Sequence, residues 1–282
     1  MIKRITLKFY NLFVRLFKKK IPTTGWHEFE IQGLKWKLCL DRYIDRTIAV
    51  EKTFEPETTE LVKSIVRPGM RVLDIGANIG YFTNIISKQV GKSGAIFAFE
   101  PVSGYRSQVE WHVKANHFSD IVKIYPFGLS DKACKLKIGM DNTSASLHWT
   151  PNTPPSNYEE IELQRLDDIL EKENIEKIDF IKIDIDGHEP FFVDGAVEFF
   201  KKNSPIILVE FANLNLFVAG SDAITLKEKL EKLGYVLYSE KTKMPFPSVT
   251  EFLTECGNYK YSANVWAIPS EIAKTKKSLL DF

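Results

Sequence analysis

Val72-Leu73-Asp74-Ile75-Gly76-Ala77-Asn78-Ile79-Gly80 decides how the rest of the chain is read. Residues 72–75 are a short apolar run with one carboxylate, set off by Pro68-Gly69, as in a buried parallel strand. Gly76 and Gly80 bracket a tight turn. Ile79, Phe82, Ile85, Ile86 and Val90 then recur at helical spacing. A strand, a glycine turn and a helix in about twenty residues open a nucleotide-binding βαβ unit.

The details of the turn select the ligand. The dinucleotide fingerprint G-x-G-x-x-G needs three glycines so that the backbone can approach a pyrophosphate. Asn78 and Tyr81 occupy the second and third places, so that fingerprint fails. An acid, Asp74, stands at the strand end instead. It would repel a pyrophosphate, whereas S-adenosylmethionine brings a cationic ammonium and sulfonium and no phosphate. Residues 95–100 read as a second buried strand ending in Glu100, about where a ribose-hydroxyl acceptor belongs. The expected cofactor residues are therefore Asp74, Gly76, Ala77, Asn78, Gly80 and Glu100. Residues 121–129 read as a third strand ending at Ser130-Asp131. Ser130 is added to the cofactor set because such a position often faces the base, although the pair equally suits a plain turn.

At 282 residues the chain suits one large α/β domain with additions or two small ones. A net charge of +1 argues against a general nucleic-acid binder, so no nucleic-acid partner is expected. Cys39, Cys134 and Cys256 match neither a zinc spacing nor a disulfide framework, which points to a reducing cytosol. The charge is unevenly spread. Residues 1–20 carry seven basic side chains and no acid. Ile2, Ile5, Phe9, Leu12, Phe13 and Leu16 fall on one helical face there, with most of the basic residues opposite. Charges interrupt the stretch too often for a membrane span, and it lacks the cleavage site of a signal peptide. It reads either as a helix lying on an anionic inner leaflet, each Lys or Arg adding about 1 kcal/mol, or as a capping helix with a solvated basic face. The absence of acids favours the leaflet, hence a cytoplasmic protein peripheral to the inner face of the membrane.

Beyond that helix, residues 27–38 alternate polar and apolar around Gln32-Gly33, a β-hairpin. Residues 57–66 form a helix between Pro56 and Pro68-Gly69. Residues 102–116 are the second crossover helix. Residues 139–160, rich in Asn, Ser, Thr and Pro, form a long insertion beyond a strand's carboxyl end. Ser144, Ser146, His148 and Trp149 within it offer hydroxyls, an imidazole and an indole for a substrate lid. Residues 162–173 include a helix start at 166–170, residues 191–200 and 225–233 read as helices, residues 135–138 suit a short strand, and residues 178–184, 205–211, 235–238 and 261–268 read as strands. Residues 274–282 look like a loose tail.

The second chemical stretch is Asp184-Ile185-Asp186-Gly187-His188-Glu189-Pro190, at the carboxyl end of the fourth strand. Four titratable side chains in six positions are too costly to bury for packing alone. In one arrangement Asp184 or His188 is a general base and the others, Asp186 among them, orient it. In the other, Asp184 and Asp186 hold a Mg²⁺ that acidifies a substrate hydroxyl. The metal-free arrangement is preferred because the run lacks a full ligand set. Glu189, just before Pro190, also suits a plain helix start.

These motifs together resemble the FkbM-type S-adenosylmethionine-dependent methyltransferases, a branch of the Rossmann-like class I group. The resemblance rests on Phe54-Glu55-Pro56-Glu57, on the glycine turn continued through Tyr81-Phe82-Thr83, and on Phe99-Glu100-Pro101. Ser144-Ala145-Ser146-Leu147, Leu166-Asp167-Asp168, residues 181–189 and Ile207-Leu208-Val209-Glu210 continue it in family order. The family usually has Glu at the place of Asp186 and often a less polar residue at that of His188. The resemblance implies an α/β fold with a mostly parallel, doubly wound sheet, S-adenosylmethionine as cofactor, and O-methylation of a sugar, glycan or related natural product. The organisation expected is a basic amphipathic helix at 1–20, a hairpin extension at 21–55, a methyltransferase domain at 56–268 and a tail at 269–282. Alternative readings are a degenerate methyltransferase that only binds cofactor, or one acting on RNA or protein.

Overall fold

The structure, a computed structural model, describes residues 22–140, 145–147, 155 and 157–282. The basic helix expected at 1–20 lies outside the described residues. The chain divides into two compact units, Met1–Phe54 and Glu55–Phe282.

In the first unit, β1 (Trp26–Ile31) and β2 (Leu34–Cys39) pair antiparallel with Ile31 opposite Leu34. Gln32 and Gly33 between them have φ of 55° and 68°. Two residues of positive φ match the twist of a tight hairpin, so the turn follows from the sequence. Helix α1 (Tyr43–Glu51), which shows no clear sequence signal, follows. It buries Ile48 and Ala49, and its Asp45 carboxylate accepts the Cys39 amide at 2.7 Å.

The second unit begins with α2 (Pro56–Ile65), β3 (Arg71–Ile75), α3 (Tyr81–Val90), β4 (Ala95–Phe99), α4 (Ser103–Ala115) and β5 (Val122–Tyr125). There follow β6 (Gly128–Leu129), β7 (Cys134–Met140), β8 (Ala145–Ser146), β9 (Asn157–Gln164) and α5 (Leu166–Glu173). The unit continues through β10 (Phe180–Ile183), α6 (Glu189–Asp194), α7 (Val197–Lys202), β11 (Ile206–Phe211), α8 (Asn213–Val218) and α9 (Ala223–Lys232). It ends with β12 (Tyr235–Ser239), α10 (Val249–Cys256), β13 (Ala263–Pro269) and α11 (Ser270–Ala273).

Seven strands form one sheet in the order β12-β13-β11-β10-β3-β4-β5. All neighbours are parallel except those of β13, which runs antiparallel to β11 and β12. This is the mostly parallel, doubly wound sheet expected. Its central strands are apolar on both faces; Val72, Leu73, Ile96, Ile181 and Ile207 are fully buried. The chain runs outward from β3 to β5, then returns to β10 on the other side of β3. The carboxyl ends of β3 and β10 therefore flank the switch point, where open sheets leave a crevice for ligands.

Three expectations change. Residues 121–129 are not one strand: β5 stops at Tyr125, and β6 pairs with β9 in a second sheet of order β6-β9-β7-β8. That sheet also takes up both ends of the expected insertion loop. Residues 191–200 are not one helix, because the chain breaks at Gly195-Ala196. A Cβ on Gly195 would lie 1.9 Å from the Ser130 carbonyl oxygen, so the break lets the two backbones touch. The tail is anchored: Leu279 is fully buried, its amide donates to the Lys243 carbonyl at 2.8 Å, and Ser278 and Asp281 cap its last turn.

Candidate functional site

The crevice is walled by two turns, one after β3 and one after β10. In the first, every amide is already spoken for. Gly76 and Ala77 both donate to the Phe99 carbonyl at 3.0 Å, and Gly80 donates to the Ala77 carbonyl at 2.8 Å. The Asn78 amide donates to Glu100 Oε2 at 2.7 Å, and the Ile79 amide to Asn78 Oδ1 at 2.8 Å. A phosphate needs free amides pointing at it. This turn has none to give, which fits a ligand without phosphate such as S-adenosylmethionine.

Gly76, Asn78 and Glu100 line the crevice. Gly76 has φ +81°, and a Cβ there would lie 1.9 Å from the Asp184 carbonyl oxygen. The first turn can meet the second only because this residue is glycine. Ala77 and Gly80 shape the turn without lining the crevice; Gly80 lets α3 approach Val109. Glu100 is buried, and its second oxygen accepts the Val102 amide at 2.8 Å. Burial pushes its carboxyl up to about 8, against the pull of the Val102 and Asn78 amides.

Asp74 is fully buried and does not line the crevice. Its register partner on β10 is Lys182, and one of its oxygens accepts the Thr83 hydroxyl. Burial raises its pKa, opposed by Lys182 and by Thr83. The sequence reading missed Lys182, whose placement follows from the pairing of β3 with β10. Its ammonium is buried, 2.9 Å from Asp184 Oδ2 and 5.1 Å from the centre of the Phe82 ring. Burial pulls its pKa down, but Asp184, Asp74 and Glu55 outweigh that and hold it above its ordinary value.

The second turn brings Asp184, Asp186 and His188 to the crevice together. Asp186 has φ 53°, and its Oδ1 accepts the Asn215 side-chain amide at 3.0 Å. Gly187, at φ +94°, packs so closely on Asn215 that a Cβ would meet its carbonyl carbon at 2.4 Å. Helix α8, absent from the sequence reading, thus shapes the turn. His188 is buried against the Phe191 ring, and its Nε2 lies 2.9 Å from Ser130 Oγ. Ser130 thereby joins the imidazole and does not line the crevice. Glu189 is fully buried, and its Oε1 accepts the Ile185 and Gly187 amides at 3.0 and 3.3 Å. Burial pushes it up to about 7. Glu210, also missed, stands at the end of β11, where burial and then the charges of Asp184 and Asp186 raise its pKa.

The second sheet adds apolar wall: Ile138, Ile161, Leu163 and Leu147 border the crevice. The alternation of Ile161 and Leu163 with polar neighbours is a period-two signal that could have found it. Of the expected lid residues, Ser144, His148 and Trp149 lie outside the described residues. Ser146 pairs with Gly139 through β8 and β7. Among the described residues, no group of three or more His, Cys, Asp or Glu side chains is placed to hold a metal ion. The donor chemistry at the alternative Mg²⁺ pair agrees, since a buried ammonium already occupies one Asp184 oxygen. No helix among the described residues is long and apolar enough to cross a membrane.

A family described as "Methyltransferase FkbM domain" matches residues 74–258. No curated protein matches the sequence. Among solved structures, a methyltransferase FkbM from Methylobacillus flagellatus KT is 14% identical, with a TM-score of 0.49, over 80% of this chain and 54% of that one. The chain thus spans about half the length of that protein. A SAM-dependent O-methyltransferase from Thermotoga maritima is 14% identical over 86% of this chain and 77% of that one, with a TM-score of 0.45. Aeropyrum pernix fibrillarin, in complex with S-adenosyl-L-methionine, is 12% identical over 89% and 85%, with a TM-score of 0.45.

Proposed function

We propose that this chain, which belongs to the FkbM methyltransferase family, transfers a methyl group from S-adenosylmethionine to a hydroxyl of a sugar, glycan or related natural product. The observation that carries the reading is the meeting of the two turns at Gly76 and Asp184. It sets a phosphate-free cofactor wall beside a cluster of Asp184, Asp186 and His188.

Gly76, Asn78 and Glu100 would hold the cofactor, Glu100 offering its remaining lone pairs to the ribose hydroxyls. When bound, the cofactor supplies a methyl group already activated on a sulfonium. Alignment of the acceptor then removes much of the barrier, up to about 7–11 kcal/mol. A neutral hydroxyl is a poor nucleophile, so a base adds roughly 10²–10⁴-fold. Between the two candidates, Lys182 decides. One Asp184 oxygen is already engaged by the buried Lys182 ammonium at 2.9 Å. Asp184 is then the fixed negative wall, and His188 takes the proton as the acceptor oxygen gains the methyl carbon.

The test is a methyl-transfer screen of the full chain against sugars and glycans, with calorimetry of S-adenosylhomocysteine alongside. Transfer to hydroxyl acceptors that falls about 10²-fold in His188→Gln would support the reading. Transfer to RNA or protein, with none to any hydroxyl compound, would overturn the acceptor class.

A further inference from the structure

Ser130 and Asp131 do not line the crevice, yet they are closely fixed. Ser130 is buried, and its amide donates to the Gln164 carbonyl at 2.9 Å. Its own carbonyl faces Gly195 at a separation that leaves no room for a Cβ. The backbone is thus pinned on both sides. Its hydroxyl donates to Asp131 Oδ1 at 2.9 Å and meets His188 Nε2 at 2.9 Å.

A hydroxyl has one hydrogen. With that hydrogen directed at Asp131, Ser130 can only accept from the imidazole. Nε2 must then carry the proton, and Nδ1 is the basic nitrogen. The ring itself is held by its stacking on Phe191, centroid to centroid 4.6 Å.

We propose that Ser130 and Asp131 are positioning residues for His188, fixing its proton on Nε2 and stabilising its protonated form. The inference rests on the reading of His188 as proton acceptor. As the acceptor oxygen bonds the methyl carbon and the sulfur keeps the old bonding pair, the hydroxyl proton passes to Nδ1. The imidazolium is then one hydroxyl away from the Asp131 carboxylate. After the product leaves, Nδ1 returns its proton to water and the ring is again in the starting tautomer. Asp184 and Asp186 on the same turn add negative charge nearby, and Lys182 offsets part of it through Asp184; Glu189 and Glu210 are also near, but burial favours their neutral forms. Asp131 reaches the ring through a defined chain of hydrogen bonds.

The experiment is an NMR titration of the His188 side chain in the full chain, with its signal assigned from His188→Gln. Asp131→Asn should lower the midpoint by about 0.5 unit or more, roughly threefold in proton affinity. Ser130→Ala should do the same and let the neutral ring populate both tautomers. Thermal melts confirm that each variant is folded; Asp131 is partly exposed, so its variant is the safer of the two. Midpoints unmoved in both folded variants would overturn the proposal. So would a loss of S-adenosylhomocysteine affinity of about tenfold or more in Ser130→Ala with the midpoint unmoved, since Ser130 would then belong to the cofactor. Failure of the unaltered chain to bind S-adenosylhomocysteine is a different result and sinks the functional reading instead.

Discussion

The two turns at the crevice are built on opposite principles. The turn after β3 is held by backbone: five successive amides from Gly76 to Gly80 each have a partner, and one carboxylate, Glu100, accepts two amides in all. The turn after β10 is held by side chains: a buried lysine, an Asn215 contact, and the charges of Asp184 and Asp186, which help raise the pKa of Glu210. A wall held mainly by backbone is stiff, which suits a cofactor common to many reactions. A wall built of charges can move protons, but its stability depends on each counterion staying in place.

The largest effect should come where the two turns touch. Gly76→Ala places a methyl group 1.9 Å from the Asp184 carbonyl oxygen at a φ of +81°. Neither turn can move without breaking the ladder between β3 and β10, so a loss of about 3 kcal/mol or more is expected. Urea unfolding would measure it, and S-adenosylhomocysteine binding should vanish with it. A folded Gly76→Ala protein of unaltered affinity would show that the turns are not in contact.

Next is the counterion. Lys182→Met leaves Asp74 buried with no opposite charge, and removal of one partner from a buried pair costs about 3–5 kcal/mol. Asp184 is partly exposed and recovers solvation, so most of the loss belongs to Asp74. The double variant Lys182→Met/Asp74→Asn should therefore be more stable than Lys182→Met alone. Simple additivity of the two losses would mean that the lysine does not serve Asp74.

How these regions were legible in the sequence differs for the same reason. The glycine turn is local: strand, Gly76, Gly80 and helix are consecutive, and Glu100 follows after a single crossover helix. Its ligand class could be read from residues alone. The charged turn was visible as Asp184, Asp186 and His188, but its wiring was not. Lys182 meets Asp74 only because β10 lies beside β3, and Ser130 meets His188 across 58 residues of chain. Position at a strand end does not say which way a side chain points, and Asp74 proves to be fully buried. Of the second sheet only residues 135–138, within β7, were legible: β6 and β8 are two residues long, and β7 pairs with β9 across the insertion. Residues 191–200 carry helical spacing throughout, and nothing local signals that Gly195 breaks them to meet Ser130.

A third test separates carboxylates by how they are held. Glu100 uses one oxygen for the Asn78 amide and the other for Val102. Glu100→Gln keeps one acceptor but turns an NH₂ toward the second amide, a clash of donors. A loss of about 1–3 kcal/mol in stability is expected, with S-adenosylhomocysteine affinity down about tenfold. Unchanged affinity would remove Glu100 from the cofactor wall.

Glu189 should give the smallest loss and the clearest pH signature. Only its Oε1 accepts amides, from Ile185 and Gly187, while Oε2 is buried without a hydrogen-bond partner. Glutamine copies the protonated carboxyl: its oxygen can take both amides and its NH₂ can fill the space of Oε2. Glu189→Gln should therefore change stability at neutral pH by no more than about 1 kcal/mol. The sign of the pH effect follows from burial, which raises this group from 4.5 to about 7 in the folded chain. Between those values the folded state holds the proton that the unfolded state has lost. Stability from this group is complete below 4.5 and falls as pH rises through 7. Urea midpoints measured from pH 5 to 8 should decline less steeply in Glu189→Gln than in the unaltered chain. Parallel declines would show that Glu189 is ionised in the fold, and that the turn after β10 carries one more negative charge beside His188 than its geometry requires.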